Sequence, residues 1–403
     1  MKRAAFLITL ILTIAVTAHA AKAEPASCAA LAGMANRDVD AAQVLQACID
    51  ATPVGGALAL RPGRYVVGAP IALSRAISLS TVHAGRSEWR CGTQQKLRCA
   101  TLVVHIRPSV STKLVMPFDV EADDVHIDHV IFSGMRATDP VSSTILCLSA
   151  TQRALGGGVR VNGSNIVISD DVFRDFSCYS SLEIDGGRNI LISKNQFLNN
   201  GDHTSRMMWA DGLTIHEGLS FIVKNNVFTN NTDVQLIIGG CIDCNIAENN
   251  MNHNRSAAGG SFAELMLQAW PKATSGRFDG SQVSDNQIDC GPARRCGFGI
   301  MIGSAPWYAA PASGGAVIGN RVANAELGID VDDLSGPMEI IDNRVSGGIG
   351  RVHGACGDRQ ITAGINISPT SRRFLSTKDT SDPAMKLASS GTYAGCILNY
   401  PVI

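Results

Sequence analysis

Gly158-Val159-Arg160-Val161-Asn162, Leu182-Glu183-Ile184-Asp185, Leu213-Thr214-Ile215-His216 and Leu236-Ile237-Ile238-Gly239 share one short pattern, in which apolar residues alternate with other types. The pattern continues in Leu265-Met266-Leu267-Gln268, Ile300-Met301-Ile302-Gly303, Ile329-Asp330-Val331-Asp332 and Ile365-Asn366-Ile367-Ser368. Alternation with period two is the signature of a strand with one buried face. The residues Val161, Ile184, Ile215, Ile238, Leu267, Ile302, Val331 and Ile367 follow one another at intervals of 23 to 36 positions. Such intervals suit a solenoid coil whose loops vary in length.

A second register runs through segments such as Ile190-Leu191-Ile192-Ser193-Lys194-Asn195-Gln196-Phe197 and Ile222-Val223-Lys224-Asn225-Asn226-Val227-Phe228. Asp171, Asn195, Asn226, Asn249, Asn286, Asn320 and Asn343 each stand three residues after an apolar strand position. Asparagine tolerates the left-handed backbone of a tight corner, and amides stacked at about 4.8 Å can hydrogen-bond from coil to coil. The strands are too β-branched for helical repeats, and the leucine-rich consensus is absent. The chain is therefore expected to be all-β, a right-handed parallel β-helix. Ala41-Ala42-Gln43-Val44-Leu45-Gln46-Ala47-Cys48-Ile49 has helical apolar spacing and is expected to form an N-terminal capping helix.

Lys2 and Arg3 precede an apolar run from Ala4 to Val16 and small residues at Ala18, Ala20, Ala21 and Ala23. This reads as a bacterial signal peptide over 1–23, so the protein is expected to be secreted or periplasmic. The remainder, 24–403, reads as a single β-helix domain, with 24–66 as N-terminal cap and leading strand and 350–403 as last coil and C-terminal tail. Twelve cysteines suit an oxidising compartment. Sequence neighbours suggest the pairs Cys28–Cys48, Cys91–Cys99, Cys241–Cys244, Cys290–Cys296 and Cys356–Cys396. A net charge of −1 with 17% charged residues provides neither the basic footprint of a nucleic-acid binder nor a polybasic patch for a membrane. No nucleotide, haem or nicotinamide motif occurs, so chemistry by side chains without a cofactor is expected. Calcium is the one ion considered, because Asp330, Asp332 and Asp333 offer oxygen ligands.

The stretch Gly55-Gly56-Ala57-Leu58-Ala59-Leu60-Arg61-Pro62-Gly63-Arg64-Tyr65, following the helical segment, resembles the opening of the pectate-lyase-like superfamily. That resemblance implies a β-helix acting on carbohydrate. Trp209-Ala210-Asp211-Gly212 and Asn231-Thr232-Asp233 enter successive coils and resemble the paired acids of polygalacturonase-type glycoside hydrolases. The likeness implies Asp211 as base and Asp233 as acid, with departures at Val234, Ala263 and Ile300-Met301-Ile302. Gly212-Leu213-Thr214-Ile215-His216-Glu217 is more faintly similar to a stretch of secreted β-helix mannuronan epimerases, which implies His216 as base.

Reading the outward row of the strands independently of any family gives Arg160, Glu183 with Asp185, and Thr214 with His216 on three consecutive coils. Hydrolysis of a glycosidic bond needs two carboxylates, which Asp211 and Asp233 supply, with Asp185 and His216 beside them. Proton abstraction from a uronate needs a base and a cation, which His216 and Arg160 supply. The expected catalytic residues are thus Asp211, Asp233, His216 and Asp185. Arg160, Glu183, His203, Arg206, Trp209, Gln268 and Trp270 are expected to bind a polysaccharide. An endo-acting glycoside hydrolase is the leading expectation, a uronate lyase or C5-epimerase the second, and a non-catalytic carbohydrate-binding solenoid the third.

Overall fold

The structure is a computed structural model and describes residues 26–82, 91, 99–106, 115–136, 147–148, 153–202, 208–254, 259–268, 270, 272–293, 296–303, 309–347, 350–352, 354 and 357–393. Each coil contributes three short strands, the earliest being Ala57–Leu60, Gly63–Val67 and Ile71–Leu73. Strands of these three kinds pair with their counterparts one coil below and above, so the coils stack into three ten-stranded sheets; a short antiparallel pair, Gly350–Val352 with Arg359–Ile361, lies outside them. All pairings within these sheets are parallel, as in Tyr179–Ile184 with Ala210–Ile215. This is a parallel β-helix.

The alternating residues decide the interior. Leu73, Val120, Val161, Ile184, Ile215, Ile238, Leu267, Ile302, Val331 and Ile367 are stacked as successive partners in the third sheet. All are buried. Behind the second sheet Phe132, Phe173, Phe197 and Phe228 form a continuous stack with centroid spacings of 5.2, 5.2 and 4.6 Å. Offset aromatic stacking adds to the apolar burial that drives folding.

The asparagine ladder is present, but its conformational work is divided differently from the sequence reading. Asn195, Asn226, Asn249, Asn286, Asn320 and Asn343 lie inside the corner, where the Nδ2 of each of the first five donates to the Oδ1 of the next at 2.9 to 3.1 Å. The left-handed residue is the one immediately before: Asp170, Lys194, Asn225, Glu248, Asp285, Gly319 and Asp342 carry positive φ. Lys194 and Glu248 are poor left-handed residues; the ladder's buried amides hold them there. Asp171 begins the ladder, and burial pushes its carboxyl well above the usual carboxylate range.

At the N-terminal end, helices α1 (Ala26–Ala32) and α2 (Ala42–Ala51) are tied by the Cys28–Cys48 disulfide. Gln46 of α2 accepts from Ala72 N at 2.9 Å and donates to Ala72 O at 3.0 Å, occupying the open edge of the third sheet. At the far end Ser389 donates to Ile365 O and accepts from Ile367 N, both through its backbone. The pairs Cys91–Cys99, Cys241–Cys244 and Cys290–Cys296 form as expected, and Cys147 is joined to Cys178. The suggested Cys356–Cys396 pair lies outside the described residues. Among the described residues, no helix is long and apolar enough to cross a membrane.

Outward-facing positions of the third sheet are not all in water. Ile237, Met266 and Met301 follow one another on that face. They are buried in a second apolar cluster with Val234, Phe262, Phe298, Ile361 and Tyr393. A side chain that leaves the solenoid interior here enters another core.

Candidate functional site

The acid pair sits where two strands of the third sheet begin. Asp211 lies at the second position of Ala210–Ile215, and Asp233 directly precedes Val234–Ile238. Asp233 N donates to Ala210 O at 3.2 Å, which fixes the two residues at the same height on neighbouring coils. Gly212 is required between them and the interior: a Cβ there would come within 2.4 Å of Gln235 O. Asp211 Oδ2 accepts from Thr214 Oγ1 at 3.0 Å and from Ser180 Oγ at 3.5 Å, and Oδ1 accepts from Val234 N at 3.1 Å.

Asp211 and Asp233 are both half-buried. Burial first, and then the charge of Asp233, pushes the Asp211 carboxyl up to about 8, against the weaker pull of the Thr214 and Val234 hydrogen bonds and of Arg153. Two adjacent carboxyls that cannot both ionise share a proton. At neutral pH the pair therefore offers one proton donor and one charged carboxylate.

A second constellation lies on the same face. Arg160, Glu183 and Thr214 are direct partners on three coils. Glu183 is nearly buried; its Oε2 accepts from Arg160 Nε at 2.8 Å, and its Oε1 lies 2.9 Å from His216 Nε2. Burial works against the Glu183 charge, but the His216 hydrogen bond and Arg160 together outweigh it and hold its carboxyl below the usual range. Tyr179 OH donates to Glu183 Oε1 at 3.3 Å, and its phenol is pushed up to about 12 by burial and by the Glu183 charge. The His216 ring stacks on Trp270 with centroids 5.0 Å apart and planes 8° from parallel.

No protein-family model matches the chain, and no curated protein matches it by sequence. Solved structures do match in shape. A polygalacturonase from Erwinia carotovora ssp. carotovora superposes with a TM-score of 0.50 at 12% identity, over 78% of this chain and 92% of that one. The fold is the right-handed parallel β-helix. A mutant tailspike protein of E. coli bacteriophage HK620, in complex with a pentasaccharide, superposes with a TM-score of 0.49 at 14% identity, over 77% of this chain and 59% of the tailspike. The surface protein and adhesin PfbA of Streptococcus pneumoniae gives 0.45 at 13% identity, over 79% of this chain and 97% of its own.

Within this β-helix the sequence-derived site residues separate into groups. Asp211 and Asp233 come together, as do Arg160, Glu183, His216 and Trp270. Asp185 is exposed, and the hydrogen bond of His216 goes to Glu183 instead. Gln268, expected to bind substrate, is buried; its Oε1 accepts from Trp270 N at 3.0 Å and Thr274 Oγ1 at 2.7 Å. Its side chain thus holds the Trp270 loop. Trp209 is half-buried just before Asp211, and Trp209 O accepts from Tyr179 N. His203 and Arg206 lie outside the described residues.

Four residues at the site escaped the sequence reading: Asp119, Arg153, Tyr179 and Ser180. Asp119 pairs with Arg160 one coil below, and burial raises its carboxyl pKa against the pull of Arg160. The same outward ladder, extended one coil toward the N-terminus through Phe118–Val120, points to it. Ser180, the register partner of Asp211, follows from extending the strand before Leu182. Arg153 comes from a short 3-10 turn and carries no periodic signal.

Proposed function

We propose that this protein is a secreted glycoside hydrolase that cleaves within a polysaccharide chain, with Asp211 and Asp233 as its carboxylate pair. The observation that carries the reading is the Asp211 carboxyl held near 8 beside the charge of Asp233. Glycosidic cleavage requires a proton for the leaving oxygen and a second carboxylate to activate water or attack the anomeric carbon. One proton is held on the pair, so one of Asp211 and Asp233 takes the acid role and the other supplies the charged carboxylate. Thr214 and Ser180 orient Asp211, and the fold likeness to a polygalacturonase is compatible with a sugar polymer as substrate.

In the alternative chemistry His216 abstracts a proton beside a uronate carboxylate while Arg160 neutralises that group. Both partners are engaged by Glu183, so the geometry favours hydrolysis. A panel of neutral and acidic polysaccharides incubated with the protein separates the readings. New reducing ends without ultraviolet absorbance support hydrolysis; unsaturated ends, or unchanged chain length with inverted uronates, overturn it. Binding without turnover on every polymer of the panel also overturns it.

A further inference from the structure

Three side-chain oxygens from two coils close a triangle beside the acid pair. Thr214 Oγ1 donates to Asp211 Oδ2 at 3.0 Å, Ser180 Oγ lies 3.5 Å from the same Oδ2, and the two hydroxyl oxygens are 2.7 Å apart. Ser180 and Thr214 are 4% and 2% exposed. Asp211 Oδ1 is engaged separately, accepting from Val234 N at 3.1 Å. An oxygen that already takes an N–H suits the unprotonated position, so a proton on Asp211 belongs on Oδ2, inside the triangle.

A hydroxyl carries one hydrogen, accepts as well as donates, and turns to suit its neighbours. With Asp211 ionised, Ser180 donates to Thr214 and Thr214 donates to Oδ2, an open chain that uses both hydrogens. With a proton on Oδ2 the direction reverses: Asp211 donates to Thr214 Oγ1, Thr214 donates to Ser180 Oγ, and Ser180 donates back to Oδ2 across the longest side. Three hydrogens then serve three oxygens in a closed ring, whose members polarise one another. A fixed donor would suit one charge state only; this pair matches both.

We propose that Ser180 and Thr214 form a reversible hydroxyl relay whose direction turns over each time the Asp211 carboxyl gains or loses its proton during catalysis. The inference rests on the acid pair of the proposed hydrolase and holds for either role of Asp211. As acid, its O–H bond breaks while the glycosidic oxygen takes the proton; as base, it takes a proton from water. In both cases the negative form of Oδ2 is met by the Thr214 hydrogen without movement of heavy atoms. Both hydroxyls act through Asp211 and are positioning residues. The charges acting on Asp211 are those of Asp233 on the next coil and Arg153 from the 3-10 turn, while Tyr179 and Glu183, on the strand of Ser180, are bonded to each other.

The test follows the Asp211 carboxyl by carbon NMR titration in the full chain, together with kcat and KM for new reducing ends. Thr214→Val keeps the shape and removes the hydroxyl. It takes a charge-assisted bond from the ionised state, so the midpoint is expected to rise by about one pH unit. Ser180→Ala takes one bond from the open chain but two from the ring, so its midpoint is expected to fall by about half a pH unit. Each change should lower kcat about 10-fold with KM little altered, and Thr214→Ser should restore both quantities. If the hydroxyls were fixed donors to the carboxylate, both deletions would raise the midpoint. The relay is therefore overturned if Ser180→Ala raises the midpoint or leaves it unmoved, or if Thr214→Ser behaves as Thr214→Val. Should Thr214→Val not fold, the sign of the Ser180→Ala shift decides by itself. Should no polysaccharide be cleaved, the hydrolase reading falls while the two midpoints still decide the relay.

Discussion

Asp211 and Asp233 stand at the heads of consecutive coils, and burial together with the Asp233 charge pushes the Asp211 carboxyl up to about 8. The hydrolase reading follows from this relationship, because burial and a neighbouring charge leave a proton on a pair of chemically identical side chains. Neither residue needs an unusual neighbour. The parallel strands supply the proximity.

Asp211→Asn and Asp233→Asn should each reduce the rate of new reducing ends by about 10²- to 10⁴-fold, the usual contribution of a positioned acid or base. Stability should move the other way. A carboxyl whose folded pKa is raised contributes stability fully below its unfolded pKa of about 3.9 and loses it as pH rises through the folded value. The advantage of Asp211→Asn over the wild type should therefore grow from about pH 4 to about pH 8 and then level off. Denaturant midpoints across that range measure it. A variant less stable than the wild type at pH 8 contradicts the account.

His216→Ala and Glu183→Ala should differ sharply. Removing His216 forfeits the ring stack on Trp270, worth about 0.5–1.5 kcal/mol beyond area burial. Bond cleavage should survive, with KM affected more than kcat. Glu183→Ala takes the buried acceptor from Arg160 Nε while Asp119 remains as a charged neighbour, so the cost should approach but not exceed that of breaking a buried pair, about 3–5 kcal/mol. Complete loss of turnover in a folded His216→Ala variant would instead favour the base chemistry of a lyase.

Asp171→Asn should stabilise the protein at neutral pH. Asp171 occupies a ladder position, Val130 N donates to its Oδ1 at 2.6 Å, and its buried Oδ2 has no hydrogen-bond partner. Each later amide donates at the equivalent point to a strand carbonyl, as Asn195 Nδ2 does to Ile168 O at 2.9 Å. An amide at 171 supplies that donor, and satisfying a buried orphan is worth about 1–3 kcal/mol. Because burial raises the Asp171 carboxyl pKa, the gain should shrink in acid, where the wild-type side chain is protonated in both folded and unfolded states. Urea unfolding at pH 8 and pH 4 tests both the sign and the trend.

Asn226→Leu, in the middle of the same ladder, should act oppositely. It removes acceptors from Asn195 N and Nδ2 at 2.9 and 3.1 Å, and a donor from Asn249 Oδ1. A loss of about 1–3 kcal/mol per orphaned group is expected, independent of pH. A melting temperature unchanged from the wild type would show that the ladder is ornamental.

The solenoid was legible in the sequence because a strand's period of two survives whatever its loops do: Val161 through Ile367 form one column despite unequal spacing. The same regularity made the adjacency of Arg160, Glu183 and His216 readable. What was not legible depends on contacts across long separations. Lys194 and Glu248 occupy left-handed corners that neither residue type advertises, because the neighbouring ladder amide imposes the geometry. Ile237, Met266 and Met301 are turned outward by alternation, yet they are buried by Ile361 and Tyr393 from far along the chain. Gln268 reads as a groove residue until Thr274 and Trp270 are seen to occupy its amide. Similarly, the protonation of Asp211 depends on burial, which alternation alone does not report.

The most direct test is the titration of Asp211 itself, followed by carbon NMR of side-chain carboxyls labelled through aspartate and assigned by difference against Asp211→Asn. The predicted midpoint is about 8 in the wild type, moving down toward the usual carboxylate range in Asp233→Asn, where the neighbouring charge is gone. A wild-type midpoint near the ordinary value of about 4, or one that Asp233→Asn leaves unmoved, would contradict a proton shared between these two residues and the hydrolase reading built on it.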